Sequence, residues 1–189
     1  MKREELINME LQGLGLIDIT LNHWLKKYGF SARVRGADTD FFWYHDDTIG
    51  YSFVFPIEAK ENWDKLLEEL KCQYTIDIFY SAFLHEVGHS ETYYTFTEEE
   101  IEECEKTHQL IIEEPSSFAE DTHYVYSHLP TEYAATSWAV NYINTYPERI
   151  KELVILVGKA IRLFYKLNDV VDEDSFDFYK NFCYNIYVK

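Results

Sequence analysis

An α+β domain, mostly helical with a small sheet ahead of one buried helix, is the fold class that the sequence predicts. Three observations carry this reading. Several long stretches place apolar residues three and four apart, the spacing of a helix face, most densely from about Thr75 to Glu91. Short aromatic and alternating runs cluster between Ser31 and Ile57 and read as strands. Hydrophobic residues make up 47% of the 189, enough to bury a core, which excludes a disordered acidic polymer. No internal repeat, Gly/Ser linker or low-complexity tract interrupts the chain, so one domain over residues 1–189 is expected.

In chain order, Arg3–Tyr28 reads as helical, with Gly13 and Gly15 able to break it and Gly29 as its stop. Strands are expected at Ser31–Val34, Asp40–His45 and Tyr51–Ile57, the last two joined by a hairpin connection over Asp46–Gly50. At least one antiparallel pair is therefore expected in the sheet. Glu61–Leu70 is a short helix, and about Thr75 to Glu91 a buried one, although Ile76-Asp77-Ile78-Phe79 is also a plausible strand start. Thr97 with Glu100 forms a capping box, which opens an acidic helix. His123–His128 alternates as a strand or extended loop does. Pro130 and Thr131, with Thr131 as N-cap, open a helix containing Glu132. Pro147 or a neighbour opens another helix through Leu167, and Ser175–Tyr187 reads as a last one.

The chemistry concentrates in His85-Glu86-Val87-Gly88-His89. Residues four apart on a helix project side by side, so the two imidazoles can share one ion. Glu86 follows the first of them and sits beside that ion without having to bind it, placed to take a proton from water. This is the H-E-x-x-H arrangement of zinc hydrolases. A catalytic zinc needs a third protein ligand. The downstream candidates are His108, Glu120, Asp121, His123, His128 and Glu132. Glu132 leads them, because it occupies a first helical turn, and Ala134 and Ala135 let that helix approach the histidine helix closely. His108, on the acidic helix, is the runner-up. A His or Tyr of the 123–128 run is a candidate donor to an oxyanion.

His85-Glu86-Val87-Gly88-His89, followed by Glu132-x-x-Ala135-x-x-Trp138-Ala139, resembles the ImmA/IrrE group of zincin metallopeptidases, of the gluzincin type. The resemblance covers about a third of the chain. It implies a zincin-like domain in which His85, His89 and Glu132 bind Zn2+ and Glu86 is the catalytic base. It also implies hydrolysis of a peptide bond in a protein or peptide, with a regulator such as a repressor as one substrate. A small sheet before the metal helix suits such a fold, since an edge strand can pair with an extended peptide. Three departures bear on the substrate. Glu91 is charged where zincin helices tend to be apolar, the family's Leu-Met-Pro ending is missing after Val140, and an extra acidic helix separates the motifs.

The formal net charge of −17 opposes direct binding to nucleic acid or anionic membranes and favours a basic protein partner. An acidic protein that binds and blocks a basic, nucleic-acid-binding partner, with zinc structural or absent, is the alternative to an enzyme. Its best feature is the run Glu98–Glu105 with Glu113 and Glu114, a run that also reads as a solvated helix face. No apolar stretch approaches the roughly 20 residues that span a bilayer, and the charged start lacks a secretion signal. Cys72, Cys104 and Cys183 are odd in number and scattered, which suits a reducing cytoplasm and packing roles. The long connection between His89 and Glu132 is a candidate cover for the cleft.

Overall fold

A computed structural model describes residues 15–37, 42–44, 46–52, 57–114, 122–167 and 186–188. The first described helix, α1 (Leu16–Tyr28), buries Ile17, Leu21, Trp24 and Leu25, one stripe at helical spacing. Its boundaries follow from glycine. Gly15 precedes it at φ 57, and Gly29 ends it at φ 83 with its N–H returned to the last carbonyls. The expected break at Gly15 is therefore the start of the helix, while Gly13 and the stretch from Arg3 lie outside the described residues.

Three strands follow: β1 (Arg33–Ala37), β2 (Phe42–Tyr44) and β3 (Thr48–Tyr51). β3 lies in the middle, antiparallel to β2 and parallel to β1. The expected antiparallel pair is present, and the parallel pair was not anticipated. The third strand also begins earlier than its alternation suggests. The turn consumes only Asp46 and Asp47, with Asp47 left-handed at φ 58, so Thr48-Ile49-Gly50 is strand rather than connection. All four residues of β3 are buried, as a central strand requires. Asn22 ties α1 to the sheet by accepting from Val34 N–H and donating to Val34 C=O, at 2.8 and 2.9 Å.

Helix α2 (Ile57–Glu69) starts before the expected Glu61, so Ile57 belongs to a helix and not to a strand. β4 (Tyr74–Ile76) then pairs antiparallel with β5 (Ile186–Val188). That pairing takes Thr75 and Ile76 out of the next helix, α3 (Ile78–Thr92), whose N-cap is Asp77 accepting from Phe79 N–H at 2.9 Å. β5 likewise replaces the end of the helix expected at Ser175–Tyr187, the rest of which lies outside the described residues. α3 is buried almost all round from Ile78 to Gly88, which makes it the axis of the core.

A single 3-10 turn, Tyr93–Thr95, leads to α4 (Glu98–Glu113), where Thr97 and Glu100 form the expected capping box. Thr122–Ser127 is a short helix, α5, not the strand its alternation suggests. His128 N–H returns to the Tyr124 carbonyl at 3.2 Å, and the two rings stack with 3.9 Å between centroids. α6 (Pro130–Thr145) has Leu129 rather than Thr131 at its N-cap, with Pro130 in the first turn. Proline has no N–H to satisfy there, which lessens the need for a side-chain cap. α7 (Pro147–Leu167) completes the order as expected. Buried side chains of α1, the sheet, α3, α6 and α7 form one cluster. No helix among the described residues is long and apolar enough to cross a membrane.

Candidate metal centre

Among the described residues the most extensive helix–helix contact is between α3 and α6, and glycine makes it possible. A Cβ added at Gly88 would lie 2.4 Å from the Ala135 carbonyl oxygen, so the two backbones meet where neither residue has bulk to spare. This close approach sets the first turn of α6 against the later turns of α3. Glu132, one turn before Ala135, thereby reaches His85 and His89.

The three side chains converge. His85 Nε2 and His89 Nε2 lie 3.1 Å apart, Glu132 Oε2 is 3.2 Å from the first, and it is 3.5 Å from the second. Ligands held tetrahedrally about 2.0–2.1 Å from one ion stand about 3.3–3.4 Å from each other, so this triangle has the size of a metal-binding face. Among the described residues this is the group of His, Cys, Asp and Glu side chains arranged to hold an ion.

Hydrogen bonding shows why a cation fits. The Thr136 hydroxyl donates to the Glu132 carbonyl at 3.0 Å, and the same oxygen lies 2.9 Å from His85 Nδ1. With its own proton committed, Thr136 Oγ1 accepts from Nδ1–H, which leaves a lone pair on His85 Nε2. That lone pair faces Glu132 Oε2, a buried oxygen to which no group donates with hydrogen-bond geometry. A proton can bridge two of these atoms. A metal cation would serve all three at nearly equal spacing.

Electrostatics agrees with the geometry. Burial works to raise the Glu132 carboxyl, but the two imidazoles 3.2 and 3.5 Å away outweigh it and hold the group well below its ordinary value. Glu132 is thus ionised, the state that binds a metal. Burial works to lower His89, and the carboxylates of Glu132 and then Glu86 reverse this, so its net shift is upward.

Tryptophans wall both imidazoles. Trp43 of β2 stacks on His89, centroids 6.0 Å apart and planes 19° apart, while Trp63 of α2 meets His85 edge-on at 5.3 Å. Trp63 is fixed in turn by donating from Nε1 to Ser81 Oγ at 2.8 Å. Sequence reasoning missed Trp43, Trp63, Ser81 and Thr136 as parts of the site. Only Thr136 had a local signal, its place one helical turn after Glu132, where a threonine can bond back to a carbonyl.

The sequence-derived site residues divide clearly. His85, His89 and Glu132 come together, and Glu86, buried beside them, lines the same cleft. His108 and His123 line that cleft but do not join the ion-binding group. His128 turns away to Glu69, 3.2 Å between Nε2 and Oε1. Glu120 and Asp121 lie outside the described residues. Cys72 and Cys104 are buried and do not belong to the ion-binding group. The connection expected to cover the cleft does contribute to its wall, through Ile101, Cys104 and His108 of α4 and Tyr126 of α5.

No protein family, characterised protein or solved structure matches the chain. The functional reading therefore stands on the chemistry of these side chains.

Proposed function

We propose that the protein is a zinc-dependent metallopeptidase that hydrolyses a peptide bond in a protein or peptide substrate. The observation that carries this reading is the triangle of His85, His89 and Glu132 with Glu86 beside it in an open cleft. Two imidazoles and one carboxylate are a zinc donor set, and three protein ligands leave a fourth position for solvent or substrate. Zinc bound there would lower the pKa of a water toward neutrality and polarise the scissile carbonyl.

The remaining work falls to the chain. Glu86 takes the proton of the attacking water and passes it to the leaving amine. Thr136 keeps His85 in the tautomer that offers Nε2. Trp43 and Trp63 exclude solvent from the outer faces of the imidazoles and restrain their rotation. A regulator such as a repressor is the kind of substrate that the ImmA/IrrE resemblance suggests. A reducing, cytoplasmic setting is compatible with buried Cys72 and Cys104, which form no disulfide with each other.

Zinc content and cleavage of a proteome-derived peptide library, read by mass spectrometry, test the proposal. Glu86→Gln is expected to keep zinc and to lose roughly 10²–10⁴ in kcat, the range of a general base. His85→Ala and His89→Ala are expected to lose zinc itself. Undiminished hydrolysis by Glu86→Gln would refute its role. A zinc-free wild type that inhibits a basic partner stoichiometrically would instead favour the blocking protein, for which the exposed Glu98, Glu99, Glu102 and Glu103 of α4 are the available face.

A further inference from the structure

Two cavities meet at the ion ligands. The larger, about 770 Å³, and the smaller, about 250 Å³, are both walled by Trp63, His85, His123, Tyr126 and Glu132. A chain lying in one can therefore run past the ligands into the other, as a polypeptide does and a compact small molecule need not.

The charge lining the larger cavity is one-sided. Among the described residues that line it there is no lysine or arginine, and the carboxylates are Glu86, Glu105 and Glu132. Glu86 and Glu132 already have roles at the ion. Glu105, on α4, has none there.

A line of ring contacts leads from His89 along the wall that also carries Glu105. Trp43 lies over His89, and the Tyr93 ring packs against Trp43 with centroids 4.8 Å apart. Tyr93 and Glu105 both line this cavity, and burial and then the negative charge of Glu105 raise the Tyr93 hydroxyl. Aromatic faces leading to a carboxylate match a long basic side chain. Its aliphatic stem covers the rings, and its cation reaches the acid.

We propose that the cleft selects a polypeptide with a lysine or arginine close to the bond to be cut, and that Glu105 is the residue that selects it. This rests on the peptidase reading above. Exposed Glu98, Glu99, Glu102 and Glu103 on the same helix add a field that draws cations toward the mouth. An acidic side chain is repelled along the same path, and an apolar one leaves the Glu105 interaction unused.

The test uses the zinc-loaded full chain and randomised capped peptides, in two arms. One arm measures kcat/KM for lysine peptides against their norleucine isosteres in wild type, Glu105→Gln and Glu105→Lys. The other measures capture of the same peptides by Glu86→Gln, alone and combined with Glu105→Gln, which needs no turnover. The expected result is enrichment of lysine or arginine at one position. The lysine-to-norleucine ratio should fall about 10–100-fold in Glu105→Gln, the worth of a hydrogen bond to a charged group. Preference should move toward Asp and Glu in Glu105→Lys. Cleavage with no basic preference, or a preference that both Glu105 variants retain, overturns the inference and leaves the peptidase reading intact. Selective capture that Glu105→Gln abolishes, without cleavage by wild type, sinks the peptidase reading and keeps the basic-ligand cleft. Absence of both cleavage and selective capture removes the two together.

Discussion

Thr136 shows how one small buried side chain can set the state of a site. Its hydroxyl spends its proton on the Glu132 carbonyl and accepts the proton of His85 Nδ1, so one residue ties together backbone and side chain of two ligands. Removing that acceptor while keeping the shape is a clean test. Thr136→Val is expected to weaken zinc binding roughly 10–100-fold, as loss of an outer hydrogen bond to a ligating histidine typically does, whereas Thr136→Ser should bind close to wild type. Competition with a chromophoric chelator reads the difference, and equal affinity in the two variants would show that the hydroxyl does not orient His85. At this scale the convergence of His85, His89 and Glu132 was legible in the sequence. The i, i+4 histidines announce a shared ion, and a glutamate opening a helix is a natural partner. Trp43 and Trp63 were not legible, because ring-on-imidazole packing arises between segments far apart in sequence and leaves no local pattern.

The meeting of α3 and α6 at Gly88 and Ala135 is a contest between two known effects. Alanine at a helical position is favoured over glycine by about 1 kcal/mol. Inserting a methyl group into a close-packed contact typically costs about 1–3 kcal/mol. Here the added carbon would meet a carbonyl oxygen at 2.4 Å, and a backbone oxygen cannot swing aside as a side chain can, so the cost wins. Gly88→Ala is expected to lower the thermal midpoint and to weaken zinc binding together, because the helices must part. An unchanged midpoint with full zinc affinity would show that the contact has slack. Which helices exist was largely readable, since α3, α4, α6 and α7 announce themselves by periodicity, capping or proline. Boundaries were less so. Thr75 and Ile76 went to a strand because their partner, Ile186–Val188, lies far along the chain. His123–Ser127 lie in a helix, which alternation over so few residues does not distinguish from a strand.

Across the molecule, α1 and α7 are joined by Glu152, which accepts from Lys27 Nζ and Tyr28 Oη, and by Trp24 Nε1 donating to the Arg149 carbonyl at 3.0 Å. The hydrogen bonds from Lys27 and Tyr28 hold the Glu152 carboxyl below its ordinary value of 4.5. A carboxylate whose folded pKa is depressed adds stability above its unfolded pKa and loses it as pH falls through the folded one. The urea midpoint of Glu152→Gln should therefore trail wild type near neutral pH, and the gap should close as pH drops below about 4.5. A gap of the same size at low pH would assign it to packing rather than charge. The mixed order of the sheet belongs to this scale too. Alternation can mark strands, but it does not say that β3 lies between the other two or runs parallel to β1. The pairing of β4 with β5 carries one more implication, for how the molecule assembles. During synthesis the ion ligands emerge well before Ile186–Val188, so the segment leading into α3 waits with an unmatched edge after α3 and α6 are able to dock. Closing that edge joins distant parts of the chain, a slow kind of contact to form. Assembly of the His85, His89 and Glu132 group can thus precede the final stitch of the fold.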